Sequence, residues 1–108
     1  MSWIAEQAVV FVWPDGRRVE GRIAVGTPED VGPEGPGEAR CSAAVDGLYR
    51  EFQLHGASQL QALVLAIGFL QRTLTDFASK GGRVLTLDPR GEVDALAGIF
   101  GSLQSGER

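Results

Sequence analysis

The chain is poor in the residues on which catalysis and metal binding most often depend. It has one cysteine, Cys41, and one histidine, His55. A lone thiol excludes an internal disulfide, and its natural setting is a reducing cytoplasm. A lone imidazole excludes histidine-rich metal sites and any relay that needs two. With Cys41 as the one thiolate, zinc would have to recruit carboxylates, an uncommon structural set, so neither metal nor cofactor is expected. A Cys41–His55 nucleophile pair is disfavoured as well, because strand alternation points the two side chains to opposite faces.

Long apolar runs are also missing. The longest, Ala62 to Leu70, is nine residues and contains Gly68, whereas a membrane-spanning helix needs about 20. The opening Met-Ser-Trp-Ile-Ala-Glu has neither the basic region nor the apolar stretch of a signal peptide. Positive charge is scarce: 10 Lys and Arg face 14 Asp and Glu, for a net charge of −4. That balance speaks against general affinity for nucleic acid, which requires basic surface to displace phosphate counterions. The expectation is a cytoplasmic protein that binds neither nucleic acid nor membrane.

The 108 residues suffice for one domain, and 44% hydrophobic with 22% charged residues is an ordinary globular balance. Glu6 to Trp13 is dense in β-branched and aromatic residues, which suit a pleated, half-buried surface. Pro14-Asp15-Gly16 follows as a turn, and Arg17 to Gly26 returns with Val19, Ile23 and Val25 on one face and Arg18, Glu20 and Arg22 on the other. The first strand is apolar on both faces, so its register stays open. A three-residue loop puts Phe11 beside Val19, and a two-residue turn brings Val10 and Val12 inward instead.

Thr27 to Glu38 combines prolines, glycines and acidic residues with one large apolar side chain, Val31, and reads as an exposed, mobile loop. Its Glu29, Asp30, Glu34 and Glu38 read first as solvated loop charge, with steering of a basic protein partner as the alternative. Ala39 to Asp46 and Leu48 to His55 form a second hairpin through Asp46-Gly47. Cys41, Ala43, Val45, Leu48, Phe52 and Leu54 point inward in this reading. Ser42, Tyr49, Glu51, Gln53 and His55 point outward.

Ser58, with Gln61 three residues on, opens a helix by a capping-box pattern, and Gly81-Gly82 closes it. Leu60, Leu63, Ile67, Leu70, Leu74 and Phe77 make the stripe expected to cover the sheet. Leu65 and Phe69 fall off that stripe and need another cover. Val84 to Leu87 reads as a strand-like piece, and Val93, Leu96, Phe100 and Leu103 as a weaker helical stripe. Gln104 to Arg108 reads as a frayed tail.

The fold class is therefore α+β: a four-stranded antiparallel sheet packed by one long helix, with a short C-terminal strand-like segment and helix. Asp46-Gly47-Leu48, Ser58-x-Leu60-Gln61-Ala62-Leu63-x-Leu65-Ala66-Ile67 and Gly81-Gly82-Arg83-Val84 resemble a family of small bacterial proteins of unknown function. That resemblance spans Cys41 to Val84. It implies antiparallel strands before a long Gln-Ala-Leu helix and a bacterial source, and it carries no catalytic residues.

Two groups of side chains stand out as candidate sites. The outer sheet face gathers Arg18, Glu20, Arg22, Tyr49, Glu51, Gln53 and His55, which read first as a solvated face with cross-strand ion pairs and otherwise as a mixed face for an anionic or peptide partner, with the arginines as forked donors. Leu65, Phe69, Val93 and Phe100 form a candidate homodimer interface. A non-catalytic protein-binding module, of the toxin-neutralising or secretion-adaptor kind, is the leading expectation, followed by a self-associating structural protein. A small-ligand binder or enzyme using Tyr49, Glu51 and His55 comes last.

Overall fold

The computed structural model describes residues 2–31, 38–88 and 91–101. Its strands are β1 (Trp3–Val12), β2 (Arg18–Gly26), β3 (Glu29–Asp30), β4 (Ala39–Asp46), β5 (Tyr49–Gly56), β6 (Arg83–Asp88) and β7 (Gly91–Asp94). Helix α1 (Gln59–Ser79) lies between β5 and β6, and a π-helical turn, Ala97–Gly101, follows β7.

Every strand pairing is antiparallel. β2 and the two-residue β3 pair successive stretches of the same side of β4, and β5 takes its other side, giving the lateral order β5-β4-β2-β1-β6-β7. The α+β class stands, but the sheet is wider than the four expected strands. β6 and β7 extend it beyond β1, and Val93, expected on a helical stripe, lies in β7 opposite Thr86. The physical reason is visible in β1, whose apolar residues on both faces suit a central strand with a neighbour on each side. β6 supplies the second neighbour, pairing Val10 with Leu85 and Phe11 with Val84.

The first turn resolves the open register. Trp13 N–H donates to the Arg17 carbonyl and Gly16 N–H to the Trp13 carbonyl, both at 2.9 Å, with Gly16 at φ +94°. This three-residue loop sets Phe11 opposite Val19 and turns Val9, Phe11 and Trp13 toward the helix. Val10 and Val12 face away and bury themselves with Leu85 in a small second core. Part of the expected mobile loop is ordered by pairing: Glu29 and Asp30 lie opposite Arg40 and Ala39, and Val31 N–H donates to the Glu38 carbonyl. Residues 32–37 of that loop, and the tail 104–108, lie outside the described residues.

Helix α1 begins as its capping residues dictate. Ser58 Oγ accepts the Gln61 N–H at 3.0 Å, while the Gln61 side-chain carbonyl accepts the Ala57 N–H. It ends with Gly81 at φ +95° and Gly82 N–H donating back to the Phe77 carbonyl at 3.0 Å. The face it buries differs from the expected stripe. Ala62, Ala66, Leu70, Leu74 and Phe77 are buried, whereas Leu60 and Ile67 are exposed. Close approach explains the rotation, since an ideal Cβ at Gly56 would sit 2.7 Å from the Ala62 nitrogen. Only small side chains fit where the helix first meets the sheet. Further along, the Phe77 ring stands edge-on to Phe11 and Trp13, with centroids at 5.9 and 5.2 Å.

Candidate functional site: an aromatic groove beside a sheet edge

The outer sheet face does not assemble as one site. Arg22 donates from Nε to Asp46 Oδ2 at 3.0 Å and from a terminal nitrogen to Glu6 Oε1 at 2.9 Å, and its guanidinium lies 4.8 Å from the Trp3 ring centroid. The Glu6 hydrogen bond, then that of Asp46, holds its pKa above the already high arginine value. The fork expected to meet a partner is thus committed within the chain.

Arg18, also exposed on this face, pairs opposite Val12 near the first turn, while His55 pairs opposite Arg40, which in turn pairs opposite Glu29. Arg18 thus lies at the first-turn end of the face and His55 at the end beside β3. Glu51, Gln53 and His55 are exposed on β5, as expected.

Tyr49 is the exception. Ala43 pairs with Phe52 but Val45 pairs with Tyr49, so β5 carries one extra residue between those two positions. This β-bulge reverses the alternation and brings Tyr49 to the helix side. Its ring centroid lies 5.4 Å from Phe52 and 6.4 Å from Phe69, and the Phe52–Phe69 distance is 5.0 Å. Tyr49, Glu51 and His55 therefore do not line a common pocket.

The three rings form the wall of a groove of about 520 Å³ between the start of β5 and the second half of α1. Leu48, Thr73 and Phe77 also line it, and Arg72, Asp76 and Lys80 stand along the helix side. Lys80 Nζ lies 3.1 Å from Asp76 Oδ2, and the Arg50 guanidinium sits 5.6 Å from the Phe52 ring centroid. Tyr49 remains 49% exposed, so the aromatic wall is open to solvent.

The proposed homodimer group is also redistributed. Phe69 belongs to the groove, Phe100 is buried in the main core, Val93 lies in β7, and Leu65 remains partly exposed. Leu65 shares the exposed apolar surface of α1 with Leu60, Val64 and Ile67, at 38%, 70%, 58% and 42% in that order. Beside them, a cleft of about 470 Å³ runs between Ile67 and Leu70 of α1, Ala5 and Val25 of the sheet, and Ile99 of the last turn.

Cys41 is buried and its thiol donates to the Gly26 carbonyl at 3.2 Å. Burial pushes its pKa up. Among the described residues no three His, Cys, Asp or Glu side chains are grouped to hold a metal ion, and no helix is long and apolar enough to cross a membrane.

Sequence reasoning had treated Phe52 as core and had not singled out Arg72. The signal for the place of Phe52 is the pair of charged residues, Arg50-Glu51, separating two aromatics on a strand. Comparison with protein-family models, with curated proteins and with solved structures returns no match.

Proposed function

We propose that the chain is a non-catalytic protein-binding module of a bacterial cytoplasm, of the kind that neutralises a toxin or adapts a secretion substrate. The observation that carries this reading is the open aromatic wall of Tyr49, Phe52 and Phe69 beside an outermost strand. Interface cores are enriched in aromatic residues and arginine, and such anchors in a pocket dominate binding energy. Arg50 and Arg72 border this wall, while Arg22 is engaged elsewhere.

The test is a pull-down with the tagged protein, the Tyr49→Ala variant and the Arg18→Glu variant, followed by reconstitution of any captured complex from purified components. A stoichiometric complex that survives Arg18→Glu and is lost with Tyr49→Ala supports the reading. Equal binding by both variants removes the groove as the binding face.

A second reading is a homodimer formed through α1. It is favoured by the spacing of Leu60, Val64 and Ile67, four and three residues apart, which repeats the apolar positions of a coiled-coil seam. Two copies related by a twofold axis would each present the same row to the other. Sedimentation equilibrium at rising concentration distinguishes the two readings: self-association abolished by Val64→Glu supports the dimer, and a monomer throughout excludes it.

A further inference from the structure

Among the described residues, β5 has a hydrogen-bonded strand neighbour on one side only. It pairs with β4, and among the described residues no strand pairs with its other edge. Alternate residues of an edge strand direct N–H and C=O groups away from the sheet, where another strand can complete them. Strands of this kind are usually guarded by charge or by a bulge. β5 has both, but the bulge at Arg50-Glu51 lies toward one end, and Phe52 to Gly56 keep regular pairing with β4.

The groove lies on the helix-facing side of this edge. A strand added alongside β5 would send every second side chain toward α1, into the space bounded by Tyr49, Phe52, Phe69 and Thr73. The intervening side chains would lie on the outer face, level with Glu51, Gln53 and His55. Strand addition of this form takes affinity from main-chain hydrogen bonds and specificity from pockets for alternate side chains.

The charge around the groove selects what enters it. The whole chain is net −4, yet two cations line this groove, Arg72 and Lys80, against one carboxylate, Asp76, and the Arg50 guanidinium lies 5.6 Å from the centroid of the Phe52 ring in its wall. Lys80 pairs with Asp76 at 3.1 Å, and neither Arg50 nor Arg72 has a carboxylate partner among the described residues. A local positive surplus on an acidic protein favours an acidic ligand and repels a basic one.

We infer that the groove takes an extended segment of a partner protein, added as a strand to the free edge of β5. The segment places an aromatic or branched aliphatic side chain among Tyr49, Phe52 and Phe69, and aspartate or glutamate beside Arg50 and Arg72. The inference rests on the protein-binding reading above and names the chemistry of the partner.

The probe is a displayed library of random twelve-residue peptides, panned on the full chain, with the strongest binder then synthesised and its affinity measured by calorimetry. The expected winners alternate apolar and polar residues and carry an excess of Asp and Glu. Arg72→Glu, at an exposed helix position, should weaken the acidic binder by about tenfold or more, as loss of a charge-assisted contact does. Methylation of the peptide backbone nitrogens that face β5 should abolish binding, and methylation of alternate nitrogens should not. Circular dichroism of Arg72→Glu checks that the variant is folded.

Peptides that bind at the groove but tolerate methylation at every position, or that show no preference for acidic residues, overturn strand addition and leave the protein-binding reading standing. A panel in which nothing is enriched overturns this inference, and the Tyr49→Ala pull-down then decides the broader reading by itself.

Discussion

At the scale of single residues, Gly21 is the position most tightly fixed by its surroundings. An ideal Cβ there would lie 1.9 Å from the Asp46 carbonyl oxygen and 2.7 Å from the Phe11 ring, and the first of these atoms is backbone. Gly21→Ala therefore forces β2 from β4, at the upper end of the ~1–3 kcal/mol typical of overpacking. The melting temperature should fall by about 10 °C or more, whereas Gly98→Ala, with nothing within 4 Å, should leave it unchanged.

Cys41 gives a second prediction at this scale. Its buried thiol ionises less readily than the same thiol in the unfolded chain, so its folded pKa lies above its unfolded one. The stability this contributes is complete below the ordinary thiol range and is lost as pH rises through it toward the folded value. Denaturant midpoints should decline above about pH 8.5, and the decline should disappear in Cys41→Ala. In the native state the thiol should resist alkylation that the unfolded chain accepts at once.

At the scale of elements, the helix shows where sequence pattern stops being informative. The residues from Leu60 to Leu70 are apolar on nearly every side, so spacing alone supports more than one buried face. The choice is made by distance: Gly56 and the alanines of β4 bring the backbone in close, and Ala62 and Ala66 fill the gap where leucines would not fit. Ala66→Leu should thus destabilise by about 1–3 kcal/mol, read as a shift in the urea midpoint with unchanged slope. Leu60→Glu, on the solvent side, should stay within about 0.5 kcal/mol of the parent.

The capping sequence, by contrast, was fully legible, because Ser58 and Gln61 act through local hydrogen bonds that need no tertiary context. The bulge in β5 falls between these cases. Tyr49 and Phe52 are three apart, so strict alternation sends them to opposite faces, and only an extra residue lets both reach the helix. Two aromatics at that spacing around Arg50-Glu51 are a sequence signal for a bulge, but one that means little until the opposing strand is known. The candidate groove depends on that detail, and the fold class does not.

At the scale of the whole molecule, the α+β class and the hairpins through Gly16 and Gly47 follow from turn chemistry and alternation. The width of the sheet was harder to read. A strand apolar on both faces announces that it is central, yet nothing in Glu6 to Trp13 names the segment that arrives beside it. That segment is β6, more than seventy positions later in the chain, since Val10 pairs with Leu85 and Phe11 with Val84. The chain reaches β6 by way of the helix, which leaves β5 at one border of the sheet and delivers the chain to the far side of β1.

The late arrival of β6 has a consequence for the protein as it is made. A ribosome releases β1 to β5 well before β6, so during synthesis Val9-Val10-Phe11-Val12-Trp13 stands as a bare border, rich in β-forming residues and free of charge. Segments with those properties nucleate aggregates when another chain reaches them first. A chain ended at Gly82 should consequently accumulate as insoluble material rather than as a smaller folded domain, and centrifugation of freshly translated product would reveal it. Adding Arg83–Asp88 as a separate peptide during translation should recover part of the soluble fraction. On this view, β6 closes the nascent sheet against its own siblings, and the crossing helix determines how long each new molecule must wait for that protection.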